Sequence, residues 1–168
     1  ILERNGLGSS SMKPLCAMIR GNKTLKVLQI SNNALGLTGS EKFCEALRVN
    51  SGLIELCLKG GTLDSRCADS LGRMVLRNKT LKSLQLVHNR FRSSDICWFT
   101  KYLEQNHSIE QFVLAGTPVD VQAAKCFAAL LKKTKTIRGF CLWGTMLDDD
   151  GAIEISHGIQ KNKSLDEL

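Results

Sequence analysis

The stretch NKTLKVLQISNNALG, residues 22–36, decides the fold of this chain. Its leucine and isoleucine positions recur every 28 residues from one end of the sequence to the other. The first position of the motif is filled by Leu25, Leu53, Leu81, Ile109, Ile137 and Leu165. A fixed period of this size is typical of proteins in which each unit buries its apolar face against its neighbours. We therefore predict a stacked array in which the surface, and not a catalytic pocket, carries the function.

Each repeat begins with the motif LxxLxLxxNxL, which we interpret as a strand followed by a turn. In the first full repeat the apolar side chains of Leu28 and Ile30 alternate with polar ones, which predicts a short strand with one buried face. Asn33 follows, and its amide can bond to the backbone of the loop. We expect a partial ladder formed by Asn5, Asn33 and Asn89 and interrupted by Gly61, Thr117 and Thr145.

A helix is predicted in the second half of each repeat. Phe43, Ala46 and Leu47 have the spacing of one helix face, and this helix should end at about Val49. The equivalent stripe in the preceding helix is Leu15, Met18 and Ile19. Because helices are wider than strands, the repeated order of strand, loop and helix predicts an α/β horseshoe with a concave parallel sheet and outer helices.

The motif at residues 22–36, the helix after it and the return to Asn-x-Thr/Ser-Leu resemble the ribonuclease-inhibitor-like class of leucine-rich repeats. The uniform 28-residue unit is most similar to the repeats of cytosolic NOD-like receptors. The resemblance covers residues 1–168 and implies a single array of about five full repeats with partial repeats at both ends, as a segment of a longer solenoid. It also implies a protein-binding role, and related arrays occur in actin-capping and ciliary proteins.

The seven cysteines are explained by their repeat positions better than by pairing. Cys16 and Cys44 share a helix position that favours small residues, and Cys57 and Cys141 share a strand position. The spacing of cysteine and histidine fits neither a CxxC motif nor a metal site. We therefore predict free thiols, no metal, no cofactor and a reducing, cytoplasmic compartment.

Four asparagines occur in glycosylation sequons, and all four fall at one phase of the repeat. They are Asn22, Asn78, Asn106 and Asn162. A single structural cause accounts for them more simply than four glycans do. We predict that each ends a helix in the left-handed conformation and helps the chain to turn into the next strand.

No constellation of residues predicts catalysis. The histidines occupy three different repeat positions, at His88, His107 and His157. The acidic triplet that begins at Asp148 lacks the alternating ligand spacing of a calcium loop, and it precedes a helix, so we expect it to cap that helix. No apolar run reaches the roughly 18 residues that a membrane span needs.

The net charge of +7 is predicted to lie away from the concave face, where positive and negative residues balance. Cations cluster instead after the helices, most regularly at Lys23, Lys79, Lys135 and Lys163. They can offset the negative helix C-terminus, or they can form a basic edge that contacts an acidic partner. Aromatic residues are not interleaved with them, so a nucleic-acid partner is not expected.

The concave face is the predicted binding surface. Its outward positions are Gln29, Lys59, Gln85, Val87, Val113, Cys141 and Trp143. This face becomes apolar towards the C-terminal end, and an exposed tryptophan there is the typical residue that dominates an interface. The alternative is that Trp143 packs over its small neighbours Ala115 and Gly116.

Three functions remain open on this evidence. The first is a non-enzymatic interaction module, the ligand-sensing or autoinhibitory region of an intracellular receptor similar to NOD-like receptors. The second is a structural scaffold of cytoskeleton or cilia. The third is a GTPase-activating protein resembling the one for Ran, although no motif in the chain carries that activity over. Neither the partner nor the oligomeric state follows from the sequence.

Overall fold

The computed structural model of the chain describes residues 1–60 and 63–168. In this part of the chain strands and α helices alternate, and a short 3-10 turn at Ser65–Cys67 precedes the third helix. The strands are β1 (Leu2–Glu3), β2 (Val27–Ser31), β3 (Glu55–Lys59), β4 (Ser83–Val87), β5 (Gln111–Ala115) and β6 (Gly139–Trp143). The helices are α1 (Met12–Gly21), α2 (Gly36–Val49), α3 (Ala68–Arg77), α4 (Ser93–Glu104), α5 (Val121–Lys133) and α6 (Asp149–Ile159).

The strands form one parallel sheet in the order of the sequence, from β1 to β6. Each strand residue pairs with the residue 28 positions later, as Leu28 does with Leu56 and Leu56 with Leu84. The predicted parallel sheet with outer helices is confirmed. Because of this register, the side chains at each repeat position form a continuous row across the sheet.

The core lies between the sheet and the helices and runs without a break along the array. Towards the C-terminal half it contains four phenylalanines, Phe99, Phe112, Phe127 and Phe140. The ring centroid of Phe112 lies 5.9 to 6.1 Å from each of the other three. Burying each such side chain stabilises the fold by about 2–3 kcal/mol, so this cluster holds β5 and β6 firmly against α4 and α5.

The first helix differs from the prediction. Its buried residues are Met12, Cys16 and Ile19, whereas Met18 is 43% exposed. The position equivalent to Met18 is filled by Ala46 in α2 and Met74 in α3, and both are buried. The reason is that α1 contacts a neighbouring helix on one side, while the helices inside the array are covered on both sides.

A left-handed residue follows each strand. The φ angle is between 51° and 73° at Arg4, Asn32, Gly60, His88, Gly116 and Gly144, which are spaced 28 apart. At the next position Asn33 donates to the carbonyls of Leu2 (3.0 Å) and Ser31 (2.9 Å). Asn89 bonds in the same way, but Thr117 instead donates one bond to the carbonyl of Asn89. The predicted partial ladder is confirmed at Asn33 and Asn89, whereas Asn5 takes part through its backbone amide, which donates to Asn33 Oδ1. The predicted interruption at Gly61 lies outside the described residues.

A second and more regular ladder connects the turns between each helix and the next strand. It consists of four side-chain amides, each of which donates a hydrogen bond of 2.6 or 2.7 Å to the backbone carbonyl 31 residues earlier. The four residues are Asn50, Asn78, Asn106 and Asn162. The left-handed conformation predicted for the sequon asparagines is wrong. Asn22 has φ −80° and ψ 126°, Asn78 has φ −70° and ψ 133°, so both are extended, and neither Asn106 nor Asn162 has a positive φ. An extended residue aims its amide back at the preceding repeat, so three of the four sequons form part of a cross-repeat ladder.

Candidate functional site on the concave face

Two rows of side chains face outward from the sheet and bring together the predicted site residues. The first row is Gln29, Cys57, Gln85, Val113 and Cys141, all partly exposed. The second is Ser31, Lys59, Val87, Ala115 and Trp143. Both rows lie on the same face, because alternate residues of a strand share one side of the sheet.

Trp143 is the most exposed aromatic residue of this face, with 68% of its surface accessible. It ends β6 and lies on the concave side of the sheet. Its cross-strand neighbour Ala115 is only 3% exposed. Gly116 is covered by the ring of His88, because a Cβ on Gly116 would collide with that imidazole. Of the two small neighbours over which Trp143 could pack, Gly116 is thus covered by His88.

Charges on the concave side are paired between repeats. Lys82 Nζ lies 2.6 Å from Glu110 Oε1, and Arg138 Nη1 lies 3.1 Å from Asp166 Oδ2. Both pairs join equivalent positions of adjacent repeats. Such exposed pairs contribute little stability, about 0–1 kcal/mol each. Their effect is to neutralise charge on this side of the sheet.

The residues that could in principle bind a metal or act as nucleophiles have structural roles. Asp148 caps α6 by accepting a hydrogen bond of 2.8 Å from the Gly151 amide. Burial raises the pKa of the Cys57 thiol, so this cysteine of the first row is a weak nucleophile. Within residues 1–60 and 63–168, no three histidine, cysteine or acidic side chains are grouped as a metal site requires.

The basic residues form a separate surface. Lys23, Lys79, Lys135 and Lys163 are all exposed and lie in the turns that lead from a helix to the start of the next strand. Trp143 lies at the opposite end of its strand. The sequence-predicted site residues thus divide into two surfaces, one on the concave face and one along an edge of the horseshoe.

The convex side contains a disulfide that the sequence reasoning missed. Cys97 in α4 is bonded to Cys126 in α5, with their Cα atoms 5.2 Å apart. The prediction that all cysteines are free thiols is therefore wrong for this pair. Only equivalent repeat positions were considered, whereas these two are 29 residues apart. That offset of one residue places them on facing sides of neighbouring helices. Cys16, Cys44, Cys57, Cys67 and Cys141 are free.

Next to the disulfide lies a second exposed aromatic group. Trp98 is 49% exposed, and its ring stands edge-on to that of Tyr102 at 6.2 Å. The Tyr102 hydroxyl donates a 2.7 Å hydrogen bond to Asp69, which also pairs with Arg73. The hydrogen bond from Tyr102, and then the one from Arg73, hold the pKa of Asp69 below its ordinary value. This cluster joins α3 to α4.

Comparison with known proteins agrees with this architecture. Residues 21–44 match the family model described as Leucine Rich repeat. The chain is an array of leucine-rich repeats. The array is 28% identical over 144 residues to the mouse NACHT, LRR and PYD domains-containing protein 9B, covering 84% of the chain. It is 32% identical over 123 residues to the ribonuclease inhibitor of Sus scrofa, covering 69% of the chain.

Two solved structures have the same fold as the array. The actin-binding site 2 of leiomodin-1 superimposes with a TM-score of 0.72 at 19% identity, covering 89% of the array and 90% of that chain. The Caenorhabditis elegans tropomodulin C-terminal domain gives 0.73 at 12% identity, covering 90% of the array and 92% of that chain. The array spans 14% of the mouse relative and 27% of the pig inhibitor. None of the described helices has the length and apolar character of a membrane span.

Proposed function

We propose that this leucine-rich repeat array is a non-enzymatic interaction module, the ligand-sensing or autoinhibitory region of an intracellular innate-immune-type receptor. Support comes from relatives whose names combine NACHT, LRR and PYD domains and which match most of the array. In such a receptor the array recognises a protein in the cytoplasm. The neutral concave face is the surface that fits this role, because it excludes neither acidic nor basic partners.

The exposure of Trp143 is the single observation that carries the proposed binding site. A tryptophan with 68% of its surface exposed carries a large apolar area that a partner can bury. Val113 and Cys141, both partly exposed in the first row, extend the apolar patch beside it. We propose that these three residues form the centre of the contact and that Gln29, Lys59 and Gln85 form its polar side.

The size of the face indicates that the array holds part of a larger site. Six strands at a spacing of about 4.8 Å span about 24 Å. A strand face about 15 Å wide then offers on the order of 350 Å², against roughly 800 Å² per partner in a standard interface. We propose that loops or neighbouring parts of the parent protein supply the remainder.

The test is a comparison of two tryptophan variants against a partner identified by cross-linking to the wild-type array. Trp143→Ala should weaken the measured affinity by about thirtyfold or more, as expected for a central interface residue. Trp98→Ala removes the exposed tryptophan of the convex side and should change the affinity for the partner less than twofold. Equal affinities for wild type and Trp143→Ala would remove Trp143 from the site.

The competing function is a cytoskeletal scaffold. It is favoured by the likeness to a solved structure titled as an actin-binding site, although at 19% identity that likeness concerns the fold. Co-sedimentation with filamentous actin distinguishes the two: saturable binding that Trp143→Ala abolishes would favour the scaffold. Stimulated GTP hydrolysis in a panel of small GTPases would overturn the non-enzymatic assignment.

A further inference from the structure

The positive charge of the array is concentrated along one edge. This basic edge consists of six five-residue segments at the helix C-termini and in the turns after them: 20–24, 48–52, 76–80, 104–108, 132–136 and 160–164. Together they contain ten lysines and arginines and one glutamate, a net charge of +9. The whole chain carries +7, so everything outside the basic edge carries −2. The edge is therefore the source of the positive potential of the molecule.

The helix C-termini do not account for all of this charge. Lys79 Nζ does bond to the carbonyl of Leu76 at the end of α3, as an offset to the helix dipole would require. Within residues 1–60 and 63–168, however, two edge cations form carboxylate pairs, Arg48 with Glu45 and Lys133 with Glu104. Both lie in the last turn of a helix, not in the turn beyond it, where Lys135 and Lys163 are exposed.

The backbone beneath these cations is held in place by the asparagine ladder. In the turn after α3, Asn78 is 3% exposed and bonds to the carbonyl of Leu47, while the next residue, Lys79, points to solvent. The same alternation of an inward asparagine and an outward lysine occurs at Asn162 and Lys163. Lys79 and Lys163 therefore project from a fixed backbone at the same place in their repeats, which lowers the entropy lost when they meet a partner. Lys23 and Lys135 fill the same repeat position, and Ser51 and His107 fill it in the other two repeats.

We propose that the basic edge is a binding surface for an acidic, extended segment of polypeptide. The turns lie between strands spaced about 4.8 Å apart and helices spaced about 8–10 Å apart, so successive turns are separated by an intermediate distance. An extended chain places alternate side chains on one face about 6.6 Å apart. Such a segment can therefore follow the turns in step, with carboxylates facing Lys23, Lys79, Lys135 and Lys163, while Ser51 and His107 lie in the two repeats between them.

Two other polyanions fit the edge less well. Nucleic-acid strands without a fixed sequence are bound by cations combined with aromatic rings on which the bases stack, and the turns of the basic edge contain no Phe, Trp or Tyr. A membrane surface is bound by cations combined with apolar side chains that insert between lipids. Val49 is the one large aliphatic residue of these turns that is more than half exposed, at 54%.

The experiment measures binding of a fluorescent peptide of about 16 residues, alternating Glu and Ser, long enough to span about 50 Å when extended. The test variant carries Lys79→Gln, Lys135→Gln and Lys163→Gln. The matched control carries Lys13→Gln, Lys42→Gln and Lys125→Gln, three exposed lysines of helices α1, α2 and α5. Both variants lose the same charge, and all six positions lie on the surface, so both should fold; circular dichroism verifies this.

The edge variant should bind the peptide about tenfold more weakly than the wild type at ~0.15 M salt, the loss expected for three exposed ion pairs. The control should change affinity less than twofold, and a Gln–Ser peptide should not bind. Equal losses in the two variants would overturn the proposal, because net charge and not the edge would then control binding. Tighter binding of single-stranded DNA or of phosphatidylserine vesicles than of the peptide would overturn it as well. Trp143 is unchanged throughout, so the outcome is independent of the concave site.

Discussion

The side-chain amide of Asn106 donates a 2.6 Å hydrogen bond to the backbone carbonyl of Val75, one repeat earlier. The same side chain accepts bonds from the backbone amides of Ser108 and Ile109, at 2.8 and 2.7 Å, while it is itself 3% exposed. One residue thus satisfies backbone groups of two repeats, at a place that water does not reach.

Asn106→Ala should lower the free energy of unfolding by about 2–3 kcal/mol, because buried donors and acceptors lose their partners. Asn106→Thr should have a smaller effect, since Thr134 fills the equivalent position and its hydroxyl accepts from the Ile137 amide. Urea denaturation measures both changes. As a control, Asn22→Ala removes bonds that are exposed and should cost less than about 1 kcal/mol. A loss in Asn22→Ala equal to that in Asn106→Ala would contradict the structural role of the ladder.

Reduction of the Cys97–Cys126 disulfide should destabilise the array. The bond closes a loop of 29 residues in the unfolded chain, and loops of this size correspond to about 3 kcal/mol. Urea unfolding with and without a phosphine reductant should show this difference for the wild type. The variant with Cys97→Ser and Cys126→Ser should be insensitive to the reductant. A wild type with the same midpoint in both conditions would show that the pair is not bonded.

The five free cysteines should react unequally with iodoacetamide. Burial raises the pKa of the thiols of Cys16, Cys44 and Cys67, and each is at most 5% exposed. These three should stay unlabelled in the folded protein at neutral pH, whereas Cys141 is partly exposed and should be labelled first. Peptide mass spectrometry counts the labels, and urea should expose all five. Fast labelling of Cys44 in the native state would contradict its buried position.

Gly158 lies where α6 approaches α5 most closely. A Cβ added there would lie 2.8 Å from the Cα and 2.9 Å from the carbonyl oxygen of Ala128, which are backbone atoms that cannot rotate away. Gly158→Ala should therefore destabilise the array by about 2 kcal/mol. Gly21→Ala, at the end of α1, meets no atom within 4 Å and is the matched control. Thermal unfolding should separate the two variants, and an unchanged Tm for Gly158→Ala would show that the helices can move apart freely.

The contact between Asp69 and Tyr102 should make stability depend on pH. Because the pKa of Asp69 is lowered in the folded protein, the folded state binds its proton less readily than the unfolded state. Its stabilising effect is therefore present above about pH 4, the ordinary value of an aspartate, and is lost as the pH falls towards the lowered pKa. The difference in stability between the wild type and Asp69→Asn should shrink over that range in urea titrations. A difference that stays constant down to acid pH would exclude this carboxylate as the source.

The sequence predicts the architecture well because one physical requirement is repeated in every unit. Leu28 and Ile30 must both be buried, and in a stacked array the same requirement returns 28 residues later, so period and burial together determine strand, turn and helix. The register between Leu28 and Leu56 follows directly. The exposed Met18 was not foreseen, because an average repeat does not show that a terminal helix lacks one neighbour.

The candidate site is less predictable, since it depends on departures from the repeat. The row that contains Trp143 could be identified from spacing, but the position of the His88 ring over Gly116 could not. Cys97 and Cys126 escaped detection because they are one residue out of phase. Asn22, Asn78, Asn106 and Asn162 were correctly assigned a structural role, but their backbone conformation was not. In all four the side-chain oxygen accepts from the amides two and three residues later, a turn that a comparison with left-handed helix ends does not predict.

The two asparagine ladders are unequal, and this gives the horseshoe a direction of compliance. Along the edge where strands begin, four side-chain amides donate hydrogen bonds to the preceding repeat, those of Asn50, Asn78, Asn106 and Asn162. Along the edge where strands end, Thr117 makes a single bond in place of an amide. We therefore expect an array that a partner pulls or twists to separate more readily along the edge where strands end than along the basic edge.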